Sequence, residues 1–163
     1  EYNYDKSIII DSFSKTYAMT GFRLGYVLSS KTIIQQLAKL QAFALTSVAE
    51  PLQYCALNAL ESDYRANILE TRNRLHTLED RLNSMDIEFV APCGAMYVFP
   101  RINRIQLDDL ALVSNLLERG VAVAPGSAFG SSYNKFFRIS ATQPTDIITE
   151  AMDILENCLL ERK

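Results

Sequence analysis

Only two runs in residues 1–60 read as strands, residues 7–10 (SIII) and 22–28 (FRLGYVL). The first is β-branched and bounded by polar residues, the pattern of a buried strand. The segment between them, residues 11–20 (DSFSKTYAMT), is small and polar and reads as a loop. Two strands do not make an independent sheet. The chain opens on Glu1 rather than Met, with no charged segment leading into an apolar one, and it runs almost at once into the first strand. These features predict a piece cut from a longer chain.

The rest alternates helix and strand signals. Residues 31–45 place Ile34, Leu37, Leu40 and Ala44 at helical spacing, and Pro51 follows Glu50 where a first helical turn accepts proline, ahead of an Ala/Leu-rich helix over 52–60. Ser62 or Asp63 can cap a long helix over 64–83, with a stripe of Ile68, Leu75, Leu78 and Leu82 and an i,i+4 pair of Glu70 and Arg74. Arg65, Arg72, Arg74 and Arg81 read as solvated positions on that helix. Strands are expected at 87–90 and 95–99, split by a turn through Pro92 and Gly94. A helix over 108–119 stops at Gly120. A strand at 121–124, a loop at 125–130, a strand at 136–140 and an amphipathic helix over 146–160 follow. The class is mixed α/β, with an α+β character after residue 86.

Composition excludes several functions. The 163 residues are 48% hydrophobic, enough for a real core. Sixteen basic residues against nineteen acidic ones, a net charge of -3, give no basic footprint for nucleic acid. No apolar run approaches the roughly 20 residues of a membrane span. Cys55, Cys93 and Cys158 form neither metal-ligand spacing nor a disulfide framework; they read as small core residues in a reduced, cytoplasmic setting. His76 reads as a surface residue of the long helix.

Lys15 lies in SFSK, with Ser12 three residues before it, Arg23 eight after it, and Gly21 and Gly25 flanking the arginine. A lysine in a loop is ordinarily a solvated charge. Near other cations and shielded from water, however, it loses its proton more readily and can attack an aldehyde. A hydroxyl from Ser12 and the planar fork of Arg23 suit a phosphate, and Gly21 lets the backbone turn or approach closely. Arg138, inside an apolar strand, suits a carboxylate, either a structural one or a ligand's. Tyr97 and Phe129 are candidates for a pocket lining, and with Tyr17 and Tyr26 are equally candidates for core.

SFSKTYAMTGFRLGY resembles the cofactor-lysine signature of class I/II aminotransferases, the aspartate aminotransferase family of fold-type I pyridoxal-phosphate enzymes. GAMYVFP (94–100), VAVAPGSAFG (121–130) and FFRIS (136–140) resemble, in order, that family's small-domain segments. The resemblance runs from Ile8 to about Leu159. It implies the C-terminal part of the fold-type I architecture: 1–62 as the end of the large cofactor-binding domain, 63–85 as a connecting helix, and 86–163 as the small α+β domain. It further implies pyridoxal 5'-phosphate as cofactor and Lys15 as the Schiff-base lysine that moves the substrate's α-proton. Ser12, Ser14 and Arg23 are implied as phosphate ligands, and Arg138 as the ligand of the substrate's α-carboxylate. Substrates would be an L-amino acid and a 2-oxo acid, and the parent a cytoplasmic homodimer without nucleic-acid or membrane partners.

The family's pyridinium-pairing aspartate lies well upstream of its lysine, and Asp5 and Asp11 are too close to Lys15 to match it. The isolated stretch is therefore expected to be inactive. A β-lyase or synthase of the same fold uses the same lysine and arginine, and a regulator with an upstream DNA-binding head would use the same domain without catalysis.

Overall fold

The computed structural model describes residues 6–102 and 108–160, so Asp5 lies outside the described residues. The chain forms two compact units, one up to Ala66 and one from Asn67 onward.

In the first unit β1 (Ile9–Ser12) and β2 (Gly25–Leu28) form an antiparallel pair in the register Ile9↔Leu28 to Ser12↔Gly25. A four-residue helix, α1 (Phe13–Thr16), follows β1 directly, and a 3-10 turn at Thr20–Phe22 precedes β2. The buried residues are Phe13, Met19 and Leu24, all between the strands; Tyr17, Tyr26, Val48, Leu52, Ala56 and Ala59 pack around them. The expectation of a buried first strand therefore fails. β1 starts two residues later than the SIII run, and Ile10 is 77% exposed, because among the described residues nothing lies over the strand. The second strand is also shorter than expected, since Phe22 belongs to the turn and Arg23 is left-handed.

The next two helices match the reading closely. α2 spans Lys31–Leu45, and α3 spans Glu50–Glu61 with Pro51 in its first turn. Neither contains a buried residue. Their apolar positions are at helical spacing, but only some, such as Ile34, Leu37, Leu52 and Ala56, are half-buried, while Phe43 is 93% exposed.

The second unit takes in nearly all of α4 (Arg65–Ser84). Asp63 is the residue at its start: its carboxylate accepts the Arg65 N–H at 3.0 Å, while Ser62 donates back to the Ala59 carbonyl. Leu75, Leu78 and Leu82 are buried, and Glu70 pairs with Arg74 at 3.0 Å as expected. Arg81 departs from the solvated reading. It is half-buried and bonded to Asp153 and Glu156, at 2.6 and 3.0 Å, on α6 (Thr145–Leu160).

Three short antiparallel strands lie in the order β3 (Tyr97–Val98), β5 (Phe137–Ser140), β4 (Ala124–Pro125). The strand expected at 87–90 reduces to one bridge, Glu88 to Arg101. Of the strand expected at 121–124 only Ala124 pairs; Val121 and Val123 instead pack against the core. α5 (Asp109–Glu118) ends as expected before Gly120, which takes φ +88°. Val98, Phe137 and Ile139 meet Leu78, Leu82, Leu112, Leu116, Met152 and Leu155 in one core. Cys158 belongs to it, but Cys55 and Cys93 are exposed, correcting the reading of all three as core residues. Cys55 lies on α3. No described helix is long and apolar enough to cross a membrane.

Leu82 is fully buried, so Leu82→Ala is expected to lower stability by about 2–5 kcal/mol, whereas Phe43→Ser should stay within about 0.5 kcal/mol. Urea midpoints of the two variants measure the contrast; equal losses would show that the core is not where the second unit's stability resides.

Candidate functional site

Ser12 ends β1 and caps α1. Its Oγ accepts the Ser14 N–H at 3.1 Å and donates to the Leu24 carbonyl at 3.3 Å. The backbone folds back on itself beneath the lysine: Phe13 N–H donates to Leu24 at 3.2 Å, and Met19 N–H to Phe13 at 3.3 Å. The Phe13 ring lies 5.3 Å from that of Tyr17 and 5.6 Å from that of Tyr26, and Tyr17 meets Tyr64 at 5.3 Å. The aromatic residues near Lys15 thus hold the loop down, as the core alternative for Tyr17 and Tyr26 requires.

Lys15 is exposed, and its ammonium makes no ion pair or hydrogen bond among the described residues; the Ser14 hydroxyl is equally unengaged. Arg23 holds φ +56° and donates one guanidinium N–H to the Thr20 carbonyl at 3.1 Å, leaving most of its fork open. The hairpin register brings Ser12, the last residue of β1, opposite Gly25, and Ser14, Lys15 and Arg23 belong to the connection that closes it. Gly21 does not play the role expected of it. It has no positive φ and open space around it, and the left-handed positions are Ala18 and Arg23. Gly25 is the close approach: a Cβ there would lie 2.8 Å from the Asp11 carbonyl oxygen. Across the hairpin, Tyr26 donates to the Asp11 carboxylate at 3.0 Å, and that bond raises the phenol above its usual range.

Arg138 lies in the second unit. Phe137 and Ile139 point into the core, so the pleat sends Arg138 to the opposite face of β5. Tyr97 pairs with Ser140 and shares that face. The guanidinium carbon of Arg138 lies 4.4 Å from the Tyr97 ring centroid and 4.7 Å from that of Phe129. Among the described residues no carboxylate pairs with it. The alternative of a structural carboxylate partner thus finds no support there. Tyr97 and Phe129 are its platform. A pocket on the core face, lined by Val121, Val123, Ile147 and Met152 among others, carries no charged side chain.

One residue of this region escaped the sequence reading. Asp109 is 2% exposed, and its carboxylate accepts the Ser127 N–H at 2.7 Å. Burial pushes the carboxyl up, but the donors of Ser127 and the nearby backbone N–H groups at the start of α5 outweigh it and hold the group below the usual carboxylate range. The signal was the pair Asp108-Asp109. Only Asp108 is needed as the cap, accepting the Ala111 N–H at 2.9 Å.

The family model for aminotransferase class I and II matches residues 2–155. The aspartate aminotransferase of Pyrococcus abyssi is 37% identical over 171 residues, an alignment covering 98% of this chain and 43% of that protein. The aromatic-amino-acid aminotransferase 2 of Thermococcus litoralis is 33% identical over 98% of this chain and 43% of its own length. The crystal structure of the Thermotoga maritima aspartate aminotransferase superposes with a TM-score of 0.90 at 34% identity, covering 98% of this chain and 42% of that one. The chain thus spans about two fifths of these relatives, and its fold is part of the fold-type I architecture.

Because the folded Asp109 carboxyl lies below its unfolded value of about 3.9, its contribution to stability is present above that value and is lost as pH falls through the folded one. The difference in urea midpoint between the wild type and Asp109→Asn is expected to shrink as pH drops from about 6 to below about 3. A difference constant over that range would mean that the ionised carboxylate contributes nothing.

Proposed function

Because this chain belongs to the aminotransferase class I and II family, we propose that the whole protein transfers an amino group between an L-amino acid and a 2-oxo acid, with pyridoxal 5'-phosphate as cofactor. The observation that carries this reading is an anchored loop whose chemical groups are left unspent. Phe13 and Met19 are buried and Tyr17 packs against them, while the Lys15 ammonium, the Ser14 hydroxyl and most of the Arg23 fork have no partner among the described residues. A loop held this way costs little further ordering when a ligand arrives.

These residues fit the cofactor. Bound, it supplies an aldehyde for an amine and a ring that stores the electrons released when the substrate's Cα loses its proton. Lys15 would hold it through the side-chain amine and would accept the substrate's proton at Cα. Arg23 and Ser14 hold the phosphate with donors that are already available. Ser12 joins them by giving up its 3.3 Å contact to Leu24, a long bond for a hydroxyl and so the easiest to exchange. Arg138 takes the α-carboxylate of either substrate as a bidentate pair. It is ready to do so because stacked rings, not a carboxylate, hold it.

The same proposal makes the parent a cytoplasmic homodimer. It makes the 163-residue chain inactive by itself, since the chain spans about two fifths of its relatives. The quoted relatives are aminotransferases, which favours transamination over lyase chemistry or a regulatory role. Lys15→Ala in the whole protein is expected to lower kcat by at least about a hundredfold. Borohydride reduction followed by peptide mass spectrometry should find the cofactor on Lys15. Ordinary turnover by the variant, or cofactor mapped to another lysine, would overturn the assignment.

A further inference from the structure

Arg138 receives a carboxylate productively only if its fork is held within a narrow range of angles, on the order of 10–20°. Its orientation rests on two rings. Tyr97 is fixed by the sheet, through pairing with Ser140. Phe129 is not on a strand. It ends the 3-10 turn Gly126–Phe129, is 45% exposed, and besides the guanidinium meets the Phe99 ring, edge-on at 5.6 Å. So little packing on the ring itself means that the turn's backbone decides where it lies.

That backbone is held at two points. Gly126 donates to the Phe136 carbonyl at 2.8 Å, and no side chain fits there, because a Cβ would meet the Tyr133 carbonyl and lie 2.6 Å from the Phe136 carbonyl oxygen. The other point is the Asp109 carboxylate on Ser127, two residues before Phe129. Burying a carboxylate is expensive unless it is well hydrogen-bonded. α5 does not need this one as a cap, since Asp108 already serves. Asp109 instead reaches 18 residues along the chain to Ser127.

We infer that Asp109 is a positioning residue for the carboxylate site: by fixing Ser127 it sets the 126–129 turn, and with it the Phe129 ring that holds the Arg138 guanidinium in place. The inference rests on the reading of Arg138 as the carboxylate ligand. It assigns Asp109 an effect on the capture of α-carboxylates, not on the proton transfer at Lys15.

The test is a double-mutant cycle on the intact protein with its cofactor bound, using initial rates over a range of amino-acid donor concentrations. Asp109→Ala is expected to raise KM for the donor by roughly tenfold, and at most about a hundredfold, with kcat nearly unchanged. Asp109→Asn, which keeps an acceptor for Ser127, should raise it less. In an Arg138→Gln background Asp109→Ala should add almost nothing, because two residues acting through one interaction are not additive. A raised KM in Arg138→Gln, with Asp109→Ala costing the same in both backgrounds, would overturn the inference and leave the reading of Arg138 standing. An unchanged KM in Arg138→Gln would overturn that reading, and the inference with it. If Asp109→Ala does not fold, Asp109→Asn and Phe129→Leu complete the same cycle, and additivity of either with Arg138→Gln counts against the inference.

Discussion

Phe137 and Ile139 are buried on one face of β5, and the period of two along a strand therefore places Arg138 on the other. Both edges of β5 are paired, with β3 and with β4, so the strand cannot rotate to relieve one residue at the expense of its neighbours. A slip by one residue would drive the guanidinium among Leu78, Leu116 and Met152, where a charge without a partner is costly. The apolar contacts that fold the second unit are thus the same ones that present the arginine. Its platform follows from the same register: Tyr97 shares its face because it pairs with Ser140.

The first unit is organised the other way round. Its first strand is exposed and its second only half-buried, and its core is the connection between them: Phe13, Met19 and Leu24 are buried, while Ile8, Ile9 and Ile10 are not. Burial here fixes a loop. Two backbone bonds, Phe13 to Leu24 and Met19 to Phe13, fold the segment on each side of Lys15 back under it. The small polar residues that read as a loop are therefore ordered by aromatic neighbours, and Tyr17 and Tyr26 help hold the backbone that carries Lys15.

What could be read in the residues followed from how local its cause was. α2 has its expected bounds because Ser30 to Leu45 carries its own periodicity, and α5 stops at Gly120 because a left-handed residue is cheap there. Ser12, Lys15, Arg23 and Arg138 could be named as candidates because the chemistry of each group is local. Burial of β1 was misread because it depends on what lies over the strand, and the strands at 87–90 and 121–124 were overextended because pairing depends on a partner's register. Arg81 was misread for the same reason, since its carboxylates come from α6, more than 70 residues away. Asp109 left only a weak trace, a second aspartate beside the cap, because its contact exists only once Ser127 has been folded back onto the start of α5.

Five described non-glycine residues hold a positive φ, and Thr46, Asp86 and Ala95 lie outside the connection that carries Lys15. Ala18 and Arg23 both hold a positive φ, at 54° and 56°, within the one connection that carries Lys15. A residue with a Cβ in that region costs on the order of 1–2 kcal/mol relative to an unstrained conformation. Glycine would avoid the cost, and Gly21 and Gly25 lie close by, yet neither has a positive φ. At position 23 the strain is tied to a side chain that glycine lacks. The left-handed turn lets the guanidinium donate to the Thr20 carbonyl while leaving the remaining N–H groups open. Buried Phe13, Met19 and Leu24 on either side over-determine the path, so the unfavourable angles persist. At Ala18 nothing in the structure explains why glycine is not used. At Arg23 a strained backbone held in place by a local core thus presents a cation whose fork is mostly unspent.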